Sequence, residues 1–303
     1  VRSRTKPGTR SRTGPRTRLS AVAVVVPAHD EERRIAACLR SLRTAAARVA
    51  PLPVLIVVVA DACTDATARL AARGGAHVVE TRSRNVGVAR AAGVDRALEL
   101  LADADADADA DGDGDGDADG DVWLAMTDAD TTVPPAWLAH QVARAGEGHD
   151  MVLGTIRLAP TTADALLVAR HDAAYFRTRR FHAPGGAWEH PHVHGANLGV
   201  SAAAYLRVGG FAPLPTGEDR DLAARLIATG HRVARTDRHP VHTAARLRGR
   251  APGGLADLLA SLRLTPGPHA APAGPDGAGV DCVRTPGVPG GGKSVRDVPV
   301  HHL

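Results

Sequence analysis

Three polar clusters stand where buried strands would end. Ala21–Val26 runs into Pro27-Ala28-His29-Asp30-Glu31, Val54–Val59 into Asp61-Ala62-Cys63-Thr64-Asp65, and Val122–Met126 into Thr127-Asp128-Ala129-Asp130. Any one of these reads equally well as turn and helix-start chemistry, which Asp and Thr favour. Three at one edge read differently, because ligands of open parallel sheets bind outside the carboxyl ends of the strands. Carboxylates there suit contacts to a base and a ribose, with a metal handling the phosphates. The first strand lacks a following Gly-x-Gly-x-x-Gly turn, which disfavours a dinucleotide site.

Other patterns also offer chemistry. His242 precedes Arg246 and Arg250 at four-residue spacing after an expected strand, reading either as a site or as a solvated face. Glu189, His190, His192 and His194 cluster; on a strand the three histidines would share one face, as some zinc ligands do, against the plainer reading of a His-rich loop. Gly287-x-x-x-x-Gly292-Lys293-Ser294 matches the P-loop expression, but nothing strand-like precedes it. Asp128-x-Asp130-x-Thr132 matches a phosphatase nucleophile motif that needs a downstream lysine, yet Lys6 and Lys293 are the only lysines and both lie outside the expected ordered body. Every second residue from Asp103 to Asp121 is Asp, but no calcium loop closes, since position twelve never falls on an acid.

The elements that must hold these residues alternate. Short, β-branched apolar runs at Ala21–Val26, Val54–Val59, His77–Val79 and Val122–Met126 read as strands. Between them, Ile35, Leu39, Leu42, Ala46 and Val49 recur at helical spacing, and Asp65–Arg73 and Val86–Leu101 are further helices. Such alternation predicts an α/β fold around a mostly parallel sheet flanked by helices. Beyond Trp137 the pattern loosens: a helix near 163–181, a segment near 192–200, and helices near 202–208 and 219–229.

In this order the motifs resemble glycosyltransferase family 2. Val24-Val-Val-Pro-Ala-His-Asp-Glu31 and Val57-Val-Val-Ala-Asp-Ala-Cys-Thr-Asp-Ala-Thr67 look like its start, and Arg84-Asn85-Val86-Gly87-Val88-Ala89-Arg90 like its Asn-x-Gly segment. Thr127–Thr131 resembles its Asp-x-Asp motif, Gly195–Val200 and Val208–Phe211 its acceptor-side segment, and Gly217–Leu222 its Glu-Asp motif. The resemblance covers about 21–255 and implies a GT-A fold transferring a sugar from a nucleoside-diphosphate sugar to a hydroxyl acceptor, inverting, with Mn²⁺ or Mg²⁺.

By the same resemblance Pro27, His29, Glu31 and Asp61 would line the base pocket, and Arg90 would lie near base or diphosphate. Asp128 and Asp130 would hold ribose and metal, with His242 a third ligand, and Arg246 and Arg250 would grip the diphosphate. Gly195, Asn197 and Glu218 would face the acceptor, and Asp219 would be the general base. Two departures bear on donor choice: Ala60 replaces a usual acid, and Asp30 a usual Asn. A nucleotide-sugar-binding homologue without turnover and a zinc-dependent hydrolase built on the 190–194 histidines are the alternatives.

Bulk features set the frame. Of the 303 residues 44% are hydrophobic but only 3% aromatic, so Ala, Val and Leu must build the core. The net charge of +4 is segregated, with an Arg-rich arm at 1–20 and the acidic run at 102–121. The arm and the Pro/Gly-rich tail at 265–303 read as disordered, leaving 21–264 as one domain with an extended acidic insert. No nucleic-acid partner is expected. Three scattered cysteines and the lack of a long apolar run predict a cytoplasmic protein without an integral membrane segment.

Overall fold

The computed structural model describes residues 18–110, 120–159, 165–178, 190–246 and 255–264. Gly287–Ser294, Glu189, Arg250 and most of the basic arm lie outside the described residues. So do the Asp-rich residues 111–119.

Strand β1 (Leu19–Ala28) extends beyond the expected Ala21–Val26 at both ends, so the ordered body begins before residue 21. Helix α1 (Ile35–Ala46) buries the expected Ile35, Leu39 and Leu42 together with Cys38 and Ala45, whereas Ala46 is half-buried and Val49 lies beyond its end. Then follow β2 (Val54–Asp61), α2 (Thr67–Arg73) and β3 (His77–Thr81).

Helix α3 (Val86–Ala110) corrects the expected boundary at Leu101, because the first residues of the acidic run are helical and not extended. Alternate residues there are Ala, the strongest helix former, and adding residues to an existing helix avoids the nucleation cost. Asp103, Asp105 and Asp107 point to solvent, where charge repulsion is weak.

Next come β4 (Asp121–Met126), β5 (Thr131–Thr132), α4 (Trp137–Gly146), β6 (Met151–Leu153) and β7 (Ile156–Leu158). Helix α5 (Ala165–Phe176) precedes a single 3-10 turn at Gly195–Asn197 and β8 (Leu198–Ser201). The chain continues through α6 (Ala202–Arg207), α7 (Glu218–Ala228), β9 (Val233–Arg235), β10 (Val241–Thr243) and α8 (Leu255–Leu264).

The main sheet has the order β3-β2-β1-β4-β8-β6-β9. β1 pairs in parallel with β2 and β4, β2 with β3, and β6 with β9, while β8 runs antiparallel to both neighbours. Strand alternation divides the core. Val22, Val24 and Val26 of β1 face a cluster with α1 and Trp137, whereas Ala23 and Val25 face one with α3, Leu222 and Leu226. A small second sheet, β5-β10-β7, stands at the carboxyl edge of the main one, through Thr131 just after Asp130. No described helix is long and apolar enough to cross a membrane.

Candidate active site

The carboxyl ends of β1, β2 and β4 lie together, as parallel pairing of Ala28 with Ala60 and of Val25 with Met126 requires. At the end of β2, Asp61 is buried and its carboxylate is already engaged. Oδ1 accepts from the Thr81 hydroxyl at 2.9 Å and from the Ser83 and Arg84 amides at 2.7 and 3.1 Å; Oδ2 accepts from the Asn85 amide at 3.0 Å. Burial pushes this acid upward, but these donors outweigh it and hold it below its usual range. Asp61 therefore shapes the loop entering α3, and its backbone carbonyl takes the Nδ1–H of His29 at 2.7 Å. Pro27 is half-buried at the end of β1 beside Val59.

The Asn-x-Gly segment has a mechanical meaning here. Asn85 Oδ1 accepts from the Val88 amide at 3.1 Å, capping α3, and its Nδ2 donates to the Pro213 carbonyl at 3.0 Å. Gly87 packs directly beneath that 212–214 loop: a Cβ there would come within 2.2 Å of the Ala212 carbonyl oxygen. One turn further along α3, Arg90 sits almost fully buried between two acids, donating to Asp128 Oδ1 at 2.7 Å and to Glu218 Oε1. Both of its terminal nitrogens face protein carboxylates. Gly195 lies against the same guanidinium, which a Cβ would approach within 2.2 Å.

Arg90 thereby joins the Asp-x-Asp loop after β4 to the first turn of α7. Glu218 points inward to Arg90, while its neighbour Asp219 is half-exposed and accepts the Gly195 amide at 2.7 Å on Oδ2. Burial pushes Glu218 upward and Arg90 pulls it back, with Asp219 adding repulsion. Asp128 is also pushed upward by desolvation, countered by Arg90 and reinforced by the charges of Asp130 and Asp219. Three carboxylates around one cation make a site that favours added positive charge.

Asp130 stands beside it. Its Oδ1 meets the Thr131 and Thr243 hydroxyls at 3.4 Å each, and its Oδ2 lies 2.9 Å from Arg246 Nε. Arg246 also donates to Glu31 Oε1, so Glu31 and Asp130 share it. Hard oxygen donors, with a guanidinium already resting on one of them, fit a divalent cation such as Mg²⁺ or Mn²⁺. The buried Cys38 beneath donates its thiol to the Asp128 carbonyl at 3.5 Å, and burial pushes its pKa up, so it stays a thiol.

His242 lies within β10, next to Thr243, whose hydroxyl meets Asp130; successive strand residues favour opposite sides. Among the described residues, the group of possible metal ligands that converges within 4.8 Å is Asp30, Cys63 and Asp65. These residues clasp two loops: Asp30 accepts the Thr64 amide at 2.7 Å, and Asp65 accepts the Thr67 hydroxyl at 2.5 Å and the Glu32 amide at 3.0 Å.

On the acceptor side, Asn197 is buried. Its Nδ2 donates to the Thr155 and His239 carbonyls at 2.8 and 3.1 Å, and its Oδ1 accepts from Trp137 Nε1 at 2.8 Å. It braces the wall and does not present its amide to an acceptor. Among the described residues, the histidines do not converge as a group of metal ligands. His190, His192 and His194 stack as a ladder with ring centroids 5.8 and 5.9 Å apart, and Tyr175 stacks on His192 at 3.7 Å. Burial lowers His190 to about 4 and His194 to about 3, keeping the ladder neutral.

Sequence reasoning missed Thr243 and the bridging role of Arg90. The Thr243 signal was the alternation of Val241-His242-Thr243, which becomes readable only once one face is assigned.

The model of the family described as "Glycosyltransferase like family 2" matches residues 19–257. No curated protein matches the chain in sequence. Among solved structures, S. aureus TarS 1-349 in complex with UDP-GlcNAc shares 16% identity at a TM-score of 0.54, over 80% of this chain and 66% of that one. TarS 1-349 alone gives 16% identity and 0.51, over 74% of this chain and 60% of that one, so this chain spans well under two thirds of its length. The complex with UDP gives 17% and 0.50, over 75% and 61%.

Proposed function

The chain belongs to glycosyltransferase-like family 2, a glycosyltransferase of GT-A fold, and from that premise we propose that it moves a sugar from a nucleoside-diphosphate sugar to a hydroxyl acceptor with inversion. The observation that supports this most is the single guanidinium of Arg90 tying Asp128 to Glu218, which sets Asp219 beside the donor carboxylates. Asp128 and Asp130 would hold the divalent cation. That cation supplies charge neutralisation for the departing diphosphate.

Asp219 takes the proton of the acceptor hydroxyl. The acceptor oxygen then attacks the anomeric carbon from the face opposite the leaving group. The bond from that carbon to the diphosphate oxygen breaks, and its electron pair leaves with the nucleoside diphosphate. The Gly195 amide on Oδ2 and the Arg220 amide on Oδ1, each at 2.7 Å, fix the carboxylate's orientation, and each oxygen keeps a further lone pair. Inversion follows from this single displacement.

UDP is the first donor fragment to test, because TarS was solved with UDP and with UDP-GlcNAc. A thermal-shift series with UDP, GDP and ADP, each with and without Mn²⁺, is the direct test. A cognate diphosphate at a hundredfold excess over its Kd stabilises by about 2.7 kcal/mol. Absence of any Mn²⁺-dependent shift would count against the donor site. Binding without turnover of any sugar would favour the non-catalytic alternative.

A further inference from the structure

This inference rests on the donor-site reading above. Arg246 follows β10 and reaches two acids from different strands: Glu31 beyond β1, and Asp130 beyond β4 with Nε–Oδ2 at 2.9 Å. The three side chains are 22%, 5% and 15% exposed, so water screens them little. The neighbouring Asp128 has its own counter-ion in Arg90, which stays engaged with Glu218. Arg246 is thus the guanidinium that joins Glu31 to Asp130. Its guanidinium rests on Asp130 Oδ2, a carboxylate oxygen that a cation bound by the Asp-x-Asp pair would compete for.

We propose that Arg246 is a tethered counter-ion that makes this site selective for a cation arriving with a diphosphate over the free cation. A lone divalent ion must displace the guanidinium and strand it, together with the charge imbalance this leaves. A cation accompanied by a nucleoside diphosphate offers the displaced guanidinium a new anion, and planar two-pronged recognition of phosphate is what arginine does well. Release of Arg246 also breaks its ion pair with Glu31 as the donor enters. Metal and nucleotide affinities are then coupled, each raising the other by the same factor.

The test measures Mn²⁺ binding to the full chain by electron paramagnetic resonance of the free ion, first alone and then with saturating UDP. Variants are Arg246→Ala, Arg246→Lys, Arg34→Ala and Asp130→Asn, each checked for a native melting transition. Removing a directly competing ion pair should tighten binding of Mn²⁺ alone by about tenfold or more in Arg246→Ala and shrink the gain that UDP gives. Arg34 controls for loss of charge in general, since it lies 3.8 Å from Glu31 Oε2 but is 40% exposed; its variant should behave as wild type. Equal Mn²⁺ affinity in Arg246→Ala and wild type, or an equal gain in Arg34→Ala, overturns the proposal. Should Arg246→Ala fail to fold, Arg246→Lys carries the test, because one ammonium cannot match the fork. It should bind Mn²⁺ measurably tighter than wild type, and equality overturns the proposal. Asp130→Asn separates the two readings. If it binds Mn²⁺ like wild type, the donor-site assignment fails; if it loses Mn²⁺ while Arg246→Ala matches wild type, only the counter-ion inference fails.

Discussion

Replacing Arg90 by Met keeps a long unbranched side chain but removes the charge shared by Glu218 and Asp128. Glu218 and Arg90 are each 4% exposed, so the variant leaves a buried acid without its partner; Asp128, 35% exposed, keeps access to water and suffers less. Breaking a buried pair in this way costs about 3–5 kcal/mol, which for a chain of this size lowers Tm by roughly 6–20 °C.

The second variant, Arg90→Met with Glu218→Gln, removes the stranded charge and should recover about half of that loss or more. The pH dependence has a definite sign. Glu218 is already raised in the wild type, and losing Arg90 raises it further. A folded state that holds this proton more tightly than the unfolded chain is favoured at low pH and loses that advantage as pH rises through the folded value. The stability gap between Arg90→Met and wild type should therefore narrow as pH falls from 7 toward 5. Urea unfolding at several pH values measures it. A pH-independent gap, or a double variant no more stable than Arg90→Met, would refute the picture of a guanidinium neutralising a buried carboxylate.

Asp219→Asn keeps the size of the proposed base but cannot take a proton, so kcat should fall about a hundredfold or more with nucleotide affinity unchanged; steady-state kinetics and a UDP titration check both. Asp61→Asn loses acceptor capacity toward the amides of Ser83, Arg84 and Asn85 and should cost about 1–3 kcal/mol, with faster hydrogen exchange at those three amides and no change within α3. Strand β4 begins at the edge opposite Asp128, where the Asp121 amide donates to the Arg18 carbonyl, and residues 111–119 precede it in sequence. Replacing them with a short Gly-Ser linker should leave donor binding within twofold or so of wild type, and loss of binding would show that the run reaches the site. In acid, the ladder histidines gain charge only on unfolding. Their stabilisation is complete above the ordinary value of 6.5 and is lost as pH falls toward the folded values of about 4 for His190 and about 3 for His194. Tm should fall steadily from pH 6.5 to 4, less so in a His190→Asn variant, and a flat profile would remove the ladder from the account.

The sequence by itself determined the frame of the site. Val22–Val26 and Val57–Val59 are short, β-branched and apolar without interruption, as a strand covered on both faces is, and parallel pairing then brings the acids directly after them to one sheet edge. Helix α1 was equally legible, because its burial follows its own period. The short strands β5, β6, β7, β9 and β10 were not, since two or three residues carry no period of their own and are strands only through their partners.

The same limit applies to the side chains. That Thr243 faces Asp130 depends on how β10 pairs with β5 and β7, and reversing the face needs only a one-residue slip. Asn197 braces Trp137 and Thr155, and Arg90 joins Asp128 to a Glu 128 positions away, through contacts no local pattern encodes. Residue type and spacing say which groups are able to ionise, bond or bind a metal. Which of those capacities the protein has already satisfied internally, and which it leaves for a ligand, is fixed by long-range packing and by the dielectric that packing creates.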